Sequence, residues 1–172
     1  MNTLQLSTAL QTRLWSHLLP DTTADEQAAF LFCKTAQTAD GLLFEVVDHA
    51  LLAASDFAAQ HSDYLELTDD ARIGLIKRAH QLGTSLVEMH SHPGPWPAAF
   101  SISDRIGLKE TVPHMRWRLD RRPYLAIVVA PSGFDALVWP RDDLVPEPLG
   151  GIDVEGTMIA PTNASLEGWI DE

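Results

Sequence analysis

Leu6, Leu10, Leu14, Leu18 and Leu19 recur about once per helical turn over residues 5 to 19, and Pro20 ends the run. That spacing predicts an amphipathic first helix. Beyond the polar stretch Asp21 to Asp25, the apolar run Ala28-Ala29-Phe30-Leu31-Phe32-Cys33 reads as a buried strand. A second strand, Leu42 to Val47, follows the turn signal Ala39-Asp40-Gly41, so the two predict a hairpin. Tyr64 to Leu67 alternates as a short strand. Thr68 to Leu82 then reads as a helix capped by Thr68 or Asp69 and stopped by Gly83. Ser85 to His92 has the apolar character of a central strand, and it runs into the Pro/Gly-rich loop Pro93 to Phe100 before a helix that starts at Ser101. Tyr124 to Ala130 is the strongest strand in the chain, paired in a hairpin with Phe134 to Trp139 across Pro131-Ser132-Gly133. From Arg141 the chain turns Pro-, Gly- and acid-rich, with apolar patches only at Val154 and Met158-Ile159. It reads there as loop, edge strand or partner segment, with Pro146 to Gly151 an ordered surface loop or a mobile connector.

The pattern mixes helices with a mainly antiparallel sheet and lacks both a regular βαβ rhythm and a glycine-rich phosphate loop, so a dinucleotide-binding fold is disfavoured. A chain of 172 residues can bury one proper core, which leaves no room for two independent enzymatic domains. Lys and Arg number 12 against 24 Asp and Glu, a balance that repels phosphate backbones and argues against nucleic acid as a partner. The local arginines Arg116, Arg118, Arg121 and Arg122 around Trp117 read as a solvated loop or a protein-docking patch. A single cysteine, Cys33, sits inside an apolar run and cannot form an internal disulfide, which fits a reducing compartment. No signal peptide and no apolar stretch long enough to span a membrane is evident, so the expectation is a cytoplasmic protein without a membrane partner.

Chemistry concentrates around residue 90. On a strand, His90 and His92 project from one face about 7 Å apart, close enough for both imidazoles to converge on an ion. Alone, such a pair is ordinary. Ser101 and Asp104 have Ser-x-x-Asp spacing, which is a helix capping box in its plainest reading. The same Asp104, in the first turn after a short loop from the His strand, is also placed to be a third ligand, giving a His-His-Asp set that leaves zinc one open position. Glu45 and Glu88 are acids that could also reach such a metal, Glu88 from the same strand face as His90.

His90-Ser91-His92-Pro93 followed by Ser101-Ile102-Ser103-Asp104 resembles the signature of the JAMM (MPN+, JAB) metalloproteases. In that family seven residues usually lie between the second histidine and the Ser-x-x-Asp half, and here eight lie between His92 and Ser101. A glutamate ahead of an apolar strand after the first helix completes the pattern, and Glu26 in Glu26-Gln27-Ala28-Ala29-Phe30 matches that placement. The element order is similar to the family across about residues 5 to 140.

The resemblance implies an α/β fold of the cytidine-deaminase-like MPN/JAB kind, a mainly antiparallel mixed sheet flanked by helices. It implies a metalloprotease domain over residues 1–140, with residues 141–172 an acidic C-terminal extension whose packing on that domain is left open. It implies one Zn²⁺ per chain on His90, His92 and Asp104, with Glu26 holding and deprotonating the bound water and Ser101 stabilising the oxyanion. Glu26 is preferred over Glu45 and Glu88, because a third inward group on the short His strand would crowd the open position. The implied activity is hydrolysis of an amide bond after the C-terminus of a ubiquitin-like protein, as in stand-alone bacterial JAB proteins, with that protein or its conjugates as substrate. A homodimer is left open. The rival expectations are a non-catalytic MPN-like scaffold and a metal hydrolase of small amides or sulfur-carrier adducts.

Overall fold

The computed structural model describes residues 1–169. Three α-helices and ten strands occur among them, and the order of the strands in space decides the architecture. β1 (Asn2–Leu6) lies between β3 (Leu42–Leu51) and β9 (Glu147–Val154), parallel to both. From β3 the sheet continues through β2 (Ala28–Gln37), β6 (Ser85–Ser91), β7 (Tyr124–Ala130) and β8 (Gly133–Trp139) back to β9. Seven strands therefore close on themselves as a mixed barrel, and β10 (Thr157–Ile159) adds to β9 outside the ring.

This closure overturns the expected α/β MPN/JAB sheet flanked by helices. Closing the ring needs β1 and β9, neither of which the sequence marks as a barrel strand. Residues 5 and 6, assigned to the first helix by leucine spacing, belong to β1; the helix α1 spans Thr8–Leu18 and starts where the Ser7 hydroxyl accepts the Leu10 N–H at 3.1 Å. Residues 147–154, read as loop, edge strand or partner segment within an acidic extension, form a barrel strand with a partner on each side and no free edge. Gly150 and Gly151 make that possible: a Cβ on Gly150 would collide with Met1 and one on Gly151 with Met158 and the Ile159 carbonyl. These glycines, read within an ordered surface loop or mobile connector, mark close backbone approach instead.

One apolar group draws on all seven barrel strands, including Leu4, Phe44, Leu31, Met89, Ile127, Val138 and Ile152, and so fills the interior. Leu14 and Leu18 of α1 join it and are fully buried. A second group lies on the outer face of β2, β6, β7 and β8, beneath α2 (Asp69–Leu82) and α3 (Ile102–Arg118). α2 is capped by Thr68 and stopped by Gly83 in the left-handed conformation, φ 65°, as the sequence predicts. A separate two-stranded sheet, β4 (Phe57–Gln60) with β5 (Leu65–Leu67), packs against this outer layer. No helix among the described residues is long and apolar enough to cross a membrane.

The arginine cluster also differs from its sequence reading. Arg116 lies on the buried side of α3, 5% exposed, and its guanidinium donates to the carbonyls of Arg121, Arg122 and Arg141. It closes the turn after α3 rather than facing solvent, because a guanidinium carries five donors and the turn offers orphaned carbonyls.

Candidate metal centre

Strand alternation sets the first two groups. In β6, Val87 and Met89 point into the barrel, while Leu86 joins the outer group, which puts His90 on the outer face. The ladder runs on past β6: the His92 N–H donates to the Val129 carbonyl at 2.8 Å, so His92 keeps the extended register and its ring stays beside that of His90. The two rings meet edge to face with centroids 5.0 Å apart and Nε2 atoms 3.2 Å apart.

Asp104 arrives from the N-terminus of α3. The Ser101 hydroxyl accepts the Asp104 N–H at 3.1 Å, and Asp104 Oδ2 accepts the Ser101 N–H at 2.8 Å, a complete capping box. The same Oδ2 lies 3.1 Å from His92 Nε2 and 3.5 Å from His90 Nε2. Cap and ligand are therefore one carboxylate in two roles. Three donor atoms spaced 3.1 to 3.5 Å apart match the edges of a tetrahedron with metal bonds of about 2 Å, whose edge is about 3.3 Å. His90, His92 and Asp104 can hold a metal ion.

Glu26 reaches the group from the neighbouring strand. β2 and β6 pair antiparallel with Ala28 opposite His90, which brings the residues just ahead of β2 alongside His92. The Gln27 N–H donates to the Ser91 hydroxyl at 2.9 Å and the Ser91 N–H to the Gln27 carbonyl at 3.0 Å. Glu26 is fastened on its other side, its N–H to the His61 carbonyl and its carbonyl to the Gln60 side-chain amide, both at 2.8 Å. Its side chain is buried and sets Oε1 3.5 Å from His92 Nε2. Ser91 was not singled out from the sequence. The signal was there, since the residue between two outward histidines faces inward, where a hydroxyl needs a partner.

The remaining candidates separate cleanly. Glu45 is exposed on β3 and lines a different cleft beside α1. Glu88 does share the face of His90, but one of its oxygens accepts the Tyr124 hydroxyl at 2.8 Å and it is not among the three clustered donors. Ser101 is exposed at the start of α3, its oxygen taken as acceptor by the cap and its hydroxyl proton free to donate. His90, Glu26 and Asp104 open onto a cleft of about 470 Å³, walled by β5 on one side and by Ile106 and Thr111 of α3 on another.

The charges bias one another. Burial raises the Glu26 carboxyl above its ordinary value, and the nearby imidazoles of His90 and His92 offset only part of that. Burial acts in the same direction on Asp104, but hydrogen bonds from His90 and His92 and their charge reverse it and hold this carboxyl well below the carboxylate range. At His90 burial disfavours the charged ring, yet the Asp104 carboxylate, with Glu26 and Glu88 behind it, raises its pKa above the ordinary 6.5. His90 must give up its proton to bind a metal. Metal affinity is therefore expected to fall as the pH drops through that raised value, by about tenfold per pH unit below it. Titration of the metal-free protein with zinc from pH 8 to pH 5 checks this, and a flat profile would remove His90 from the ligand set.

The chain matches no model of a known protein family, and no curated protein matches it.

Proposed function

We propose that the chain is a zinc-dependent peptidase or isopeptidase that cleaves the amide bond after the C-terminus of a ubiquitin-like protein. The observation that carries this reading is the buried Glu26 carboxylate 3.5 Å from His92, on a neighbouring strand and outside the three-donor group. A purely structural metal site is closed by four protein ligands, whereas three ligands with a carboxylate beside them and outside the ligand set are the arrangement of hydrolytic sites. Two imidazoles and a carboxylate suit zinc, which when bound polarises carbonyl oxygens and lowers the pKa of water to about 7. Glu26 takes the proton of the attacking water and delivers it to the leaving amine, a role favoured by a carboxyl raised towards neutrality. Ser101 donates its hydroxyl proton to the carbonyl oxygen as charge builds there. The site rather than the architecture supports this reading, since one chemistry recurs on unrelated folds.

The cleft suits an extended substrate. β5 pairs with β4 on one side, and Tyr64, Leu65, Glu66 and Leu67 line the cleft, so an extended C-terminal tail can add as a further strand. Trp96, Ile102 and Ile106 are exposed on the loop and first turns that frame the site, apolar surface suited to a folded partner. The one cysteine, Cys33, is a buried free thiol, in keeping with a reducing, cytoplasmic setting.

The test is cleavage of a ubiquitin-like protein fused through its C-terminus to a reporter, compared with short peptides and small amides. Cleavage of the fusion that stops on chelation and returns with zinc is expected. Preference for small amides would point to the small-substrate hydrolase, and zinc uptake with no cleavage of any amide would point to a scaffold.

A further inference from the structure

The loop joining the two halves of the metal group, Pro93 to Phe100, has no regular structure of its own, yet Ala98 and Phe100 at its end are buried. Its backbone groups are satisfied from far along the chain. The Thr162 hydroxyl donates to the Ala98 carbonyl at 2.6 Å, and the Ser165 hydroxyl accepts the Phe100 N–H at 2.7 Å. Ser165 is in turn fixed to the barrel: its N–H donates to Asp135 Oδ2 at 2.9 Å, while Asp135 Oδ1 accepts the Ala136 N–H at 2.9 Å. The Thr162 N–H also bonds the Phe134 carbonyl on β8, at 2.9 Å.

Asp135 and Ser165 are both fully buried, and no cation pairs with Asp135 among the described residues. A buried carboxylate is costly unless its oxygens are bonded, and this one is held only by backbone N–H groups, one of them on the strap that carries Ser165. Its bonds end next to the metal group. Phe100 precedes Ser101, whose N–H holds the very Asp104 oxygen that faces both imidazoles.

We propose that Asp135 and Ser165 are positioning residues for the metal group, clamping the Phe100 N–H one residue ahead of Ser101, whose preceding carbonyl Arg105 holds from α3, so that the Asp104 carboxylate stays aimed at His90 and His92. The inference rests on the reading of these three residues as metal ligands. It makes the segment around residues 162–165 part of the site although it touches no ligand. Groups bonded to a metal ligand typically set metal affinity by tenfold to a hundredfold, and Asp135 and Ser165 act on Asp104 through Phe100 and Ser101.

The experiment measures the zinc dissociation constant by competition with a chelating dye, without reference to any substrate. It compares wild type, Ser165→Ala, Asp135→Asn and Ile152→Val, the last a conservative trimming of the barrel interior away from the clamp. Ser165→Ala and Asp135→Asn are expected to weaken zinc binding about tenfold or more. Ile152→Val is expected to keep the wild-type constant within about twofold while lowering the melting temperature. Should Ser165→Ala not fold, Thr162→Val, close in volume and lacking only the hydroxyl, carries the same comparison with the same expected direction.

Equal constants for wild type and folded Ser165→Ala would overturn the clamp. So would an equal loss in Ile152→Val, which would mean general loosening. Wild-type protein that takes up no zinc overturns the ligand reading and the clamp together. Zinc binding without amide cleavage overturns only the proposed activity, and the affinity comparison then still decides the clamp.

Discussion

Replacing Glu26 by Gln is expected to reduce amide hydrolysis about a thousandfold while zinc content stays at the wild-type level. The substitution keeps side-chain size and leaves the two backbone bonds that fix this position, from its N–H to the His61 carbonyl and from the Gln60 amide to its own carbonyl. What is lost is the ability to accept a proton 3.5 Å from His92. Stability should hold or rise, because burial already disfavours the ionised carboxyl and a neutral amide escapes that penalty. Turnover, zinc content and melting temperature measured on one preparation separate the roles. Retained turnover would move the base elsewhere, with Glu88 the next carboxylate lining the same cleft.

Asp104→Asn is expected to weaken zinc binding by more than about a hundredfold and to remove activity with it. Asparagine keeps an oxygen that can accept the Ser101 N–H, so the start of α3 survives and the loss reports on ligation rather than on helix capping. A second signature follows from the charges. Asp104 does most, ahead of Glu26 and Glu88, to lift His90 above its ordinary pKa against the effect of burial, so in the metal-free variant the His90 titration should move to lower pH. Proton NMR of the imidazole resonances reads that shift. Unchanged zinc affinity in the variant would remove Asp104 from the ligand set whatever the imidazoles do.

Much of the candidate site was legible before any coordinates. Alternation along a strand puts His90 and His92 on one face, and Ser-x-x-Asp spacing places Asp104 in the first turn of a helix, both of which are local rules. Cap chemistry was equally local: Thr68 and Gly83 bound α2 as their residue types require. The approach of Glu26 to His92 was matched only by resemblance, since it depends on Ala28 lying opposite His90 and on the Ser91 hydroxyl fastening Gln27.

The sequence by itself determined which segments are apolar, where most helices and strands begin, and which residue types could meet around one ion, because those follow from periodicity and from the hydrogen-bonding needs of single residues. Tertiary structure alone decided that the sheet closes. β1 is short and its last residues continue a leucine pattern of helical spacing, while β9 carries Pro148, Gly150 and Gly151 and reads at most as an edge strand, so neither reads as a barrel strand until each supplies the other's hydrogen bonds. It also decided that Arg116 turns inward to three carbonyls and that Ser165 reaches Phe100 across 65 positions of sequence. Those outcomes rest on which distant backbone groups need partners once the chain is compact, a requirement that no local window of sequence contains.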